Sequence, residues 1–202
     1  GLQSWKSDGP EAAEKQLAVW VTRQPDLGPV RDAVAAYVQT VVKKYQQDKQ
    51  PARALEAVDR CRTLLTANDH KDFVRRVCSD WARIHIDKSE WDEARAVYTL
   101  GLKSLPKDGD LKSGVAKVWF RQAEVYQKEK DWSAAADVYL KALKAGIDKR
   151  EMGQRIGFCV QELGLQSWKS DGPEAAEKQL AVWVTRQPDL GPVRDAVAAY
   201  VQ

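Results

Sequence analysis

Apolar side chains recur at intervals of three and four residues along most of the chain, which is the spacing of amphipathic α-helices. The clearest stretch places Trp119, Ala123 and Tyr126 on one helical face, and after a short polar break Ala135 and Tyr139 continue the pattern. Few stretches have the composition of β-strands. The pattern therefore predicts an all-α protein whose helices are joined by short connections.

A period of about 40 residues organises these helices. The small residues that mark it are separated by 41, 40, 41 and 41 positions: Ala13, Ala54, Ala94, Ala135 and Ala176. Each interval is long enough for two helices, and Pro10, Pro51 and Pro173 lie where a second helix should begin, a position that suits proline. The alanines are expected where two helices cross closely. The period thus predicts a row of antiparallel helix hairpins, about ten helices in all.

A longer repeat contains the short one, because residues 1–39 recur without a change as residues 164–202, at an offset of 163. Folding does not require identity at exposed positions, so we interpret it as a natural tandem array with a period of 163 residues, or four hairpins. The predicted repeats of one solenoid over 1–202 are approximately 1–28 (second helix only), 29–68, 69–108, 109–147, 148–191 and 192–202 (start of the next first helix). The two incomplete hairpins predict end-to-end stacking or continuation into neighbouring repeats.

The order of residues within a hairpin resembles the tetratricopeptide repeat (TPR) family. That family carries Trp, a small residue and Tyr on its first helix, as Trp119, Ala123 and Tyr126 do here. Its second helix carries Ala followed by an aromatic residue, as Ala135 and Tyr139 do. The preceding hairpin also has some character of the half-a-TPR subfamily. The resemblance implies an α-solenoid, a superhelix of helix pairs.

The resemblance covers nearly the whole chain and is strongest over about 75–148. One departure is the length of the repeat, which is 40 to 41 residues here and about 34 in the family. The surplus lies before two first helices, at 69–74 and 108–115. We predict that these residues lengthen the first helices, each of which should begin near an Asp or Asn cap.

Charge and cysteine usage narrow the choice of partners and compartment. The 32 basic and 29 acidic residues are mixed along the chain, which makes a nucleic-acid partner unlikely on the pattern alone. No apolar run approaches the roughly 20 residues that cross a bilayer, so no membrane insertion is expected. Cys61, Cys78 and Cys159 fall at small-residue positions of apolar faces. They are predicted to be buried free thiols, which favours a reducing, cytoplasmic location.

Motifs for catalysis are missing from the sequence pattern. His70 and His85 have no metal-ligand spacing with cysteine, and there is no nucleophile motif or phosphate-binding glycine loop. His85 replaces a tyrosine of the TPR pattern and is predicted to be a hydrogen-bonded packing residue. The expectation is a protein that is not an enzyme and has no cofactor or metal.

The TPR resemblance implies that residues of the first helices line a concave, peptide-binding groove. Carrying those positions onto this sequence gives eight candidates: Lys43, Arg76, Arg83, Lys117, Phe120, Glu124, Lys128 and Trp168. This mostly basic set with interspersed aromatic residues would suit an acidic protein segment or a terminal carboxylate. The alternative is that these are ordinary solvated helix residues.

The leading functional hypothesis is a protein–protein interaction scaffold in which repeated surfaces give avidity. An alternative is a structural spacer or fibre-forming repeat whose contacts are chiefly with itself. A lesser alternative is a helical-repeat protein that binds RNA, which the near-neutral charge disfavours.

Overall fold

The structure is a computed structural model that describes residues 10–23, 28–187 and 189–201, and within these ranges every regular element is an α-helix. The ten helices are α1 (Pro10–Arg23), α2 (Gly28–Gln47), α3 (Pro51–Arg60), α4 (Ala67–Asp87), α5 (Trp91–Ser104), α6 (Gly109–Lys128), α7 (Trp132–Lys144), α8 (Lys149–Asp171), α9 (Pro173–Arg186) and α10 (Gly191–Val201). Consecutive helices pack as adjacent pairs. The all-α class and the number of helices agree with the sequence prediction.

Long and short helices alternate. The long helices α2, α4, α6 and α8 have 20, 21, 20 and 23 residues, and the short helices α3, α5, α7 and α9 have 10, 14, 13 and 14. Residues 69–74 lie in α4 and residues 109–115 lie in α6, so the predicted lengthening of these two first helices is confirmed. Pro51 and Pro173 occupy the first position of α3 and α9, as the sequence pattern predicts.

The predicted helix caps are right at one long helix and wrong at another. The Asp108 carboxylate accepts hydrogen bonds from the backbone N–H of Asp110 and Leu111, each at 3.0 Å, and so caps α6. At α4 the cap is Thr66, which has an extended backbone and whose side-chain hydroxyl oxygen accepts a hydrogen bond from the N–H of Asp69 at 3.1 Å. The helix therefore begins at Ala67, two residues before Asp69, because the Thr66 hydroxyl satisfies one of the free N–H groups of its first turn.

Left-handed residues end three of the long helices. Lys49, Ser89 and Lys130 have φ values of 55°, 60° and 59°, and Gly172 has 89° after α8. The residue after each of the first three donates its N–H to a carbonyl five positions back, at 2.9 Å in all three cases. This is the pattern of a Schellman cap, which closes the helix and turns the chain into the next helix.

The chain divides into two compact units, residues 1–115 and 116–202. In unit 1, α3 packs against α2, α4 and α5, and one continuous core joins α1 through α5 with the first residues of α6. In unit 2, α8 packs against α7, α9 and α10. The periodic alanines are fully buried in both units: Ala13, Ala54, Ala94, Ala135 and Ala176. Their burial shows that the periodic small residues lie on the packed faces of the helices.

Candidate functional site

A groove in unit 1 lies between the long helices α2 and α4 and has a volume of about 210 Å³. Val42 and Val77 are buried and form its floor, while Lys43 and Arg76 are exposed at its rim. The residues that line it are Gln39, Val42, Lys43, Gln46, Phe73, Arg76, Val77 and Asp80. Two of the eight candidates named from the sequence, Lys43 and Arg76, thus come from different helices to one groove.

Positive charge predominates in this α2–α4 groove. The Gln46 side-chain amide donates to the Asp80 carboxylate at 3.4 Å, which leaves that acidic group already engaged. The Arg76 guanidinium lies 5.8 Å from the centre of the Phe73 ring, within the range of a cation–π contact. Lys43 forms no ion pair with any residue that the structure describes. The groove therefore offers two cations, an aromatic ring and amide groups above an apolar floor.

Arg83 lies two turns beyond Arg76 on the same side of α4 and is exposed, but it does not line the groove. Ile84, next to it, is 44% exposed. Arg83 therefore extends the basic rim along α4 without forming part of the cavity.

In unit 2, the candidates on α6 have separate surroundings. Phe120 is partly buried, with its ring centre 6.3 Å from that of Tyr139 and with the Arg155 guanidinium 4.2 Å above it. Glu124 forms an ion pair of 3.1 Å with Arg121. Phe120 therefore packs against Tyr139 and Arg155 inside unit 2. The other two candidates on this helix, at positions 117 and 128, are exposed lysines.

Trp168 belongs to an exposed stripe along α8. It is 50% exposed, as is Phe158, and Leu165 between them is 37% exposed. The Phe158 ring stands edge-on to Trp132, with 5.8 Å between ring centres. Residues 158, 165 and 168 share one helical face because they are spaced by seven and three positions.

A second groove, with a volume of about 440 Å³, lies beside this stripe between α8 and α10. Its lining residues are Gln154, Gly157, Phe158, Gln161, Pro192, Asp195 and Ala196. Like the α2–α4 groove, it separates two helices that begin consecutive pairs. It differs in charge, since its lining contains no lysine or arginine and one aspartate.

A wider cleft of about 730 Å³ lies in unit 2 among the start of α7, the end of α8 and α9. Trp132, Leu163 and the half-exposed Val182 contribute apolar walls, and Ser167 and Ser170 contribute hydroxyl groups. No repeat position in the sequence marks this cleft, because its walls come from three helices.

Asp108, which caps α6, is the most buried carboxylate among the residues that the structure describes. It is 6% exposed and accepts hydrogen bonds from Arg75 at 2.9 to 3.2 Å. Burial opposes ionisation of Asp108, but Arg75, the Leu111 amide and the nearby Lys71 outweigh it, so the pKa of the carboxyl lies below its usual value. This arrangement anchors the start of α6.

Both histidines have acidic partners. His70 Nε2 lies 2.9 Å from Asp59, and His85 Nδ1 lies 2.7 Å from Glu90. The predicted hydrogen-bonded packing role of His85 is confirmed. Within the described residues no three His, Cys, Asp or Glu side chains are arranged to hold a metal ion.

The three cysteines are free and buried, as the sequence predicts. Burial raises the pKa of the Cys61 and Cys78 thiols to about 12 and also raises that of Cys159. A thiol with such a pKa is protonated at neutral pH and is a poor nucleophile.

Across the described residues no helix combines the length and the apolar character that a membrane span requires. A comparison of the chain with models of known protein families and with characterised proteins finds no match.

Proposed function

We propose that this chain is a TPR-like α-solenoid scaffold that binds an acidic protein segment in the α2–α4 groove. The observation that supports the proposal is the convergence of Lys43 and Arg76, from two helices, on one groove with an apolar floor. Residues of the first helices line the equivalent surface in the TPR family. The proposed function is therefore non-covalent binding of a protein segment, without catalysis of any reaction on that segment.

An extended acidic segment meets complementary groups in this groove. A carboxylate of the segment pairs with the planar guanidinium of Arg76, which can offer two parallel N–H donors, and with the Lys43 ammonium. Gln39 and Gln46 can hydrogen-bond to its backbone, and an apolar side chain can rest on the floor and on Phe73. Charges at an exposed rim contribute mainly to the rate of association and to specificity, so each site is expected to bind weakly. Repetition of such sites gives avidity.

The test uses fluorescent decapeptides rich in Glu and Leu, and a matched set rich in Lys and Leu, titrated with the protein and followed by fluorescence anisotropy. The acidic set should bind more tightly, and Lys43→Glu with Arg76→Glu should lower its affinity about tenfold or more. The matched control is Arg62→Glu with Lys107→Glu, which changes the net charge equally at two exposed positions of unit 1 away from the groove. If both double variants lose the same affinity for the acidic peptides, the effect is one of net charge. If the Lys43→Glu and Arg76→Glu variant loses no affinity, the groove is not the binding site.

A second candidate function is a structural repeat whose contacts are chiefly with other copies of itself. The observation that favours it is the large exposed side chain of Trp20 on α1, which is 55% exposed. Val19 beside it is 47% exposed, and adjoining apolar side chains that face solvent can form part of a surface that another chain covers.

A further inference from the structure

Arg76 and Asp80, which both line the α2–α4 groove from α4, are opposite charges that do not pair with each other. They are four positions apart on one helix, a spacing at which opposite charges can meet. The Arg76 guanidinium instead lies 5.8 Å from the centre of the Phe73 ring. The Asp80 carboxylate accepts the Gln46 amide at 3.4 Å and forms no ion pair with any described residue, including Arg83 on the next turn. The groove therefore presents a positive and a negative charge separately.

The hydrogen bond between Gln46 and Asp80 shows how α2 and α4 line up. Both helices pack against α3 and are joined to it by short connections, so they run in the same direction. Successive turns of the two helices then divide the groove into three levels, each with one residue from either helix. These are an aromatic level (Gln39 and Phe73), a cationic level (Lys43 and Arg76) and an acidic level (Gln46 and Asp80).

The three levels match the spacing of side chains along an extended protein segment. One helical turn advances about 5.4 Å, and alternate residues of an extended chain, which point to the same side, are about 6.6 Å apart. Over the two steps from the aromatic to the acidic level the mismatch is about 2–3 Å, which long charged side chains can absorb. An extended segment can therefore place every second side chain at one level.

Charge determines which residue suits each level. An acidic residue at the cationic level meets Lys43 and Arg76, and the guanidinium can offer it two parallel N–H donors. A basic residue at the acidic level meets Asp80, because a carboxylate has about four acceptor sites and the Gln46 amide uses one of them. An apolar residue at the aromatic level packs against the partly buried Phe73 ring. Exchanging the two charges of the segment would bring like charges together at both levels, which opposes binding.

We propose that the α2–α4 groove selects an extended protein segment in which an acidic residue stands between an apolar and a basic residue, each two positions away. This inference rests on the proposed function, because it specifies the segment that the same groove binds. The pattern can run in either chain direction, since the three levels recognise side chains and not the polarity of the backbone. A wholly acidic segment meets a like charge at Asp80 and binds less tightly.

The first experiment compares decapeptides of one composition and no net charge, so that overall charge cannot account for a difference. The acid-centred core is Leu-Ser-Glu-Ser-Lys and the base-centred core is Leu-Ser-Lys-Ser-Glu; each is also made in reverse order, with Gly and Ser around the core and with blocked termini. The complete 202-residue chain is titrated and followed by fluorescence anisotropy. The better acid-centred peptide should bind about fivefold more tightly than either base-centred peptide, because the exchange loses two ion pairs and creates two like-charge contacts.

The second experiment assigns this preference to Asp80. It compares the better acid-centred peptide with one in which Glu replaces the Lys. The original protein should favour the Lys peptide by about threefold, and Asp80→Lys should favour the Glu peptide. The matched control is Glu56→Lys, which changes the net charge equally at an exposed position of α3 outside the groove and should keep the original preference. Asp80→Asn, which has nearly the same size, should abolish the preference and serves if circular dichroism shows that Asp80→Lys loses helix content.

Two results would overturn this inference and leave the proposed function in place, provided that Glu-rich peptides still bind through Lys43 and Arg76. One is that acid-centred peptides bind no more tightly than base-centred peptides. The other is a preference for the Lys peptide that substitution of Asp80 does not change. If the binding of Glu-rich peptides does not depend on Lys43 and Arg76, the proposed function is wrong and this inference is wrong with it.

Discussion

Trp20 and its copy Trp183 allow the burial of a tryptophan to be varied while the local sequence is held constant. A tryptophan side chain buries about 150–250 Å² when fully enclosed, which corresponds to about 4–6 kcal/mol at about 25 cal/mol per Å². Trp183 is 2% exposed, so Trp183→Ala should cost about 3–5 kcal/mol, the usual range for a buried tryptophan. Trp20 is 55% exposed and retains less than half of that burial, so Trp20→Ala should cost about 2 kcal/mol or less.

The assay is unfolding in guanidinium chloride followed by far-UV circular dichroism, which does not depend on the tryptophan that is removed. Because the chain has two compact units, the Trp183 variant should shift the transition of unit 2 and the Trp20 variant that of unit 1. The Arg186 guanidinium lies 4.5 Å from the Trp183 ring, so Trp183→Phe should recover part of the loss by keeping an aromatic face. Equal losses for Trp20→Ala and Trp183→Ala would refute the reasoning, because they would mean that Trp20 is covered in solution.

Three further predictions concern single positions. Asp108→Asn keeps a capping side chain but loses the charge that faces Arg75, so it should lower the free energy of unfolding at pH 7. Because folding lowers the pKa of Asp108, this stabilisation is complete above about pH 4 and disappears as pH falls through the folded-state value, so thermal melts of the two proteins should converge in acid. Cys61 and Cys78 should resist iodoacetamide at pH 8 in the native protein and react on unfolding, since burial raises their pKa to about 12; rapid native labelling followed by mass spectrometry would contradict this. Lys130→Gly should raise the free energy of unfolding by about 1 kcal/mol or less, because φ is 59° there and glycine avoids the cost of about 1–2 kcal/mol that the left-handed conformation imposes on lysine, while its greater freedom in the unfolded chain offsets part of that gain. A loss of stability measured in denaturant would show that the lysine side chain holds the turn.

Periodicity was sufficient to predict the order of the helices but not every helix start. The alanine spacing and the prolines at 51 and 173 placed the short helices correctly, because a close helix crossing and a fixed φ each leave a local signal. The start of α4 was predicted too late. Thr66 and Asp69 form a pair in which the threonine oxygen lies 2.6 Å from the aspartate, and the Thr-x-x-Asp spacing was a usable signal.

Only part of the candidate site could be predicted from the sequence, because the pattern of one helix does not show how far the side chains of another helix reach. Lys43 and Arg76 occupy equivalent faces of neighbouring long helices, so the repeat pattern was enough to bring them to one groove. Phe120 has an equally suitable position on its helix, yet Arg155 reaches across from α8 and lies over its ring. A long, flexible side chain on another helix can cover a position that the helix pattern alone would leave open.

The repeated segment, residues 1–39 and 164–202, sets a limit on what any local pattern can predict. Its residues are identical in the two copies, so helix propensity, capping and hydrophobic spacing have the same values in both. Even so, Trp183 is buried and its copy Trp20 is exposed, and the valine that follows the Gly-Pro start of the long helix differs in the same direction. Local sequence therefore encodes a face that is able to be buried, while the neighbouring helix decides whether it is. For the second copy α8 supplies that neighbour, and the missing side chain at Gly157 allows the Pro192 carbonyl to approach the helix backbone.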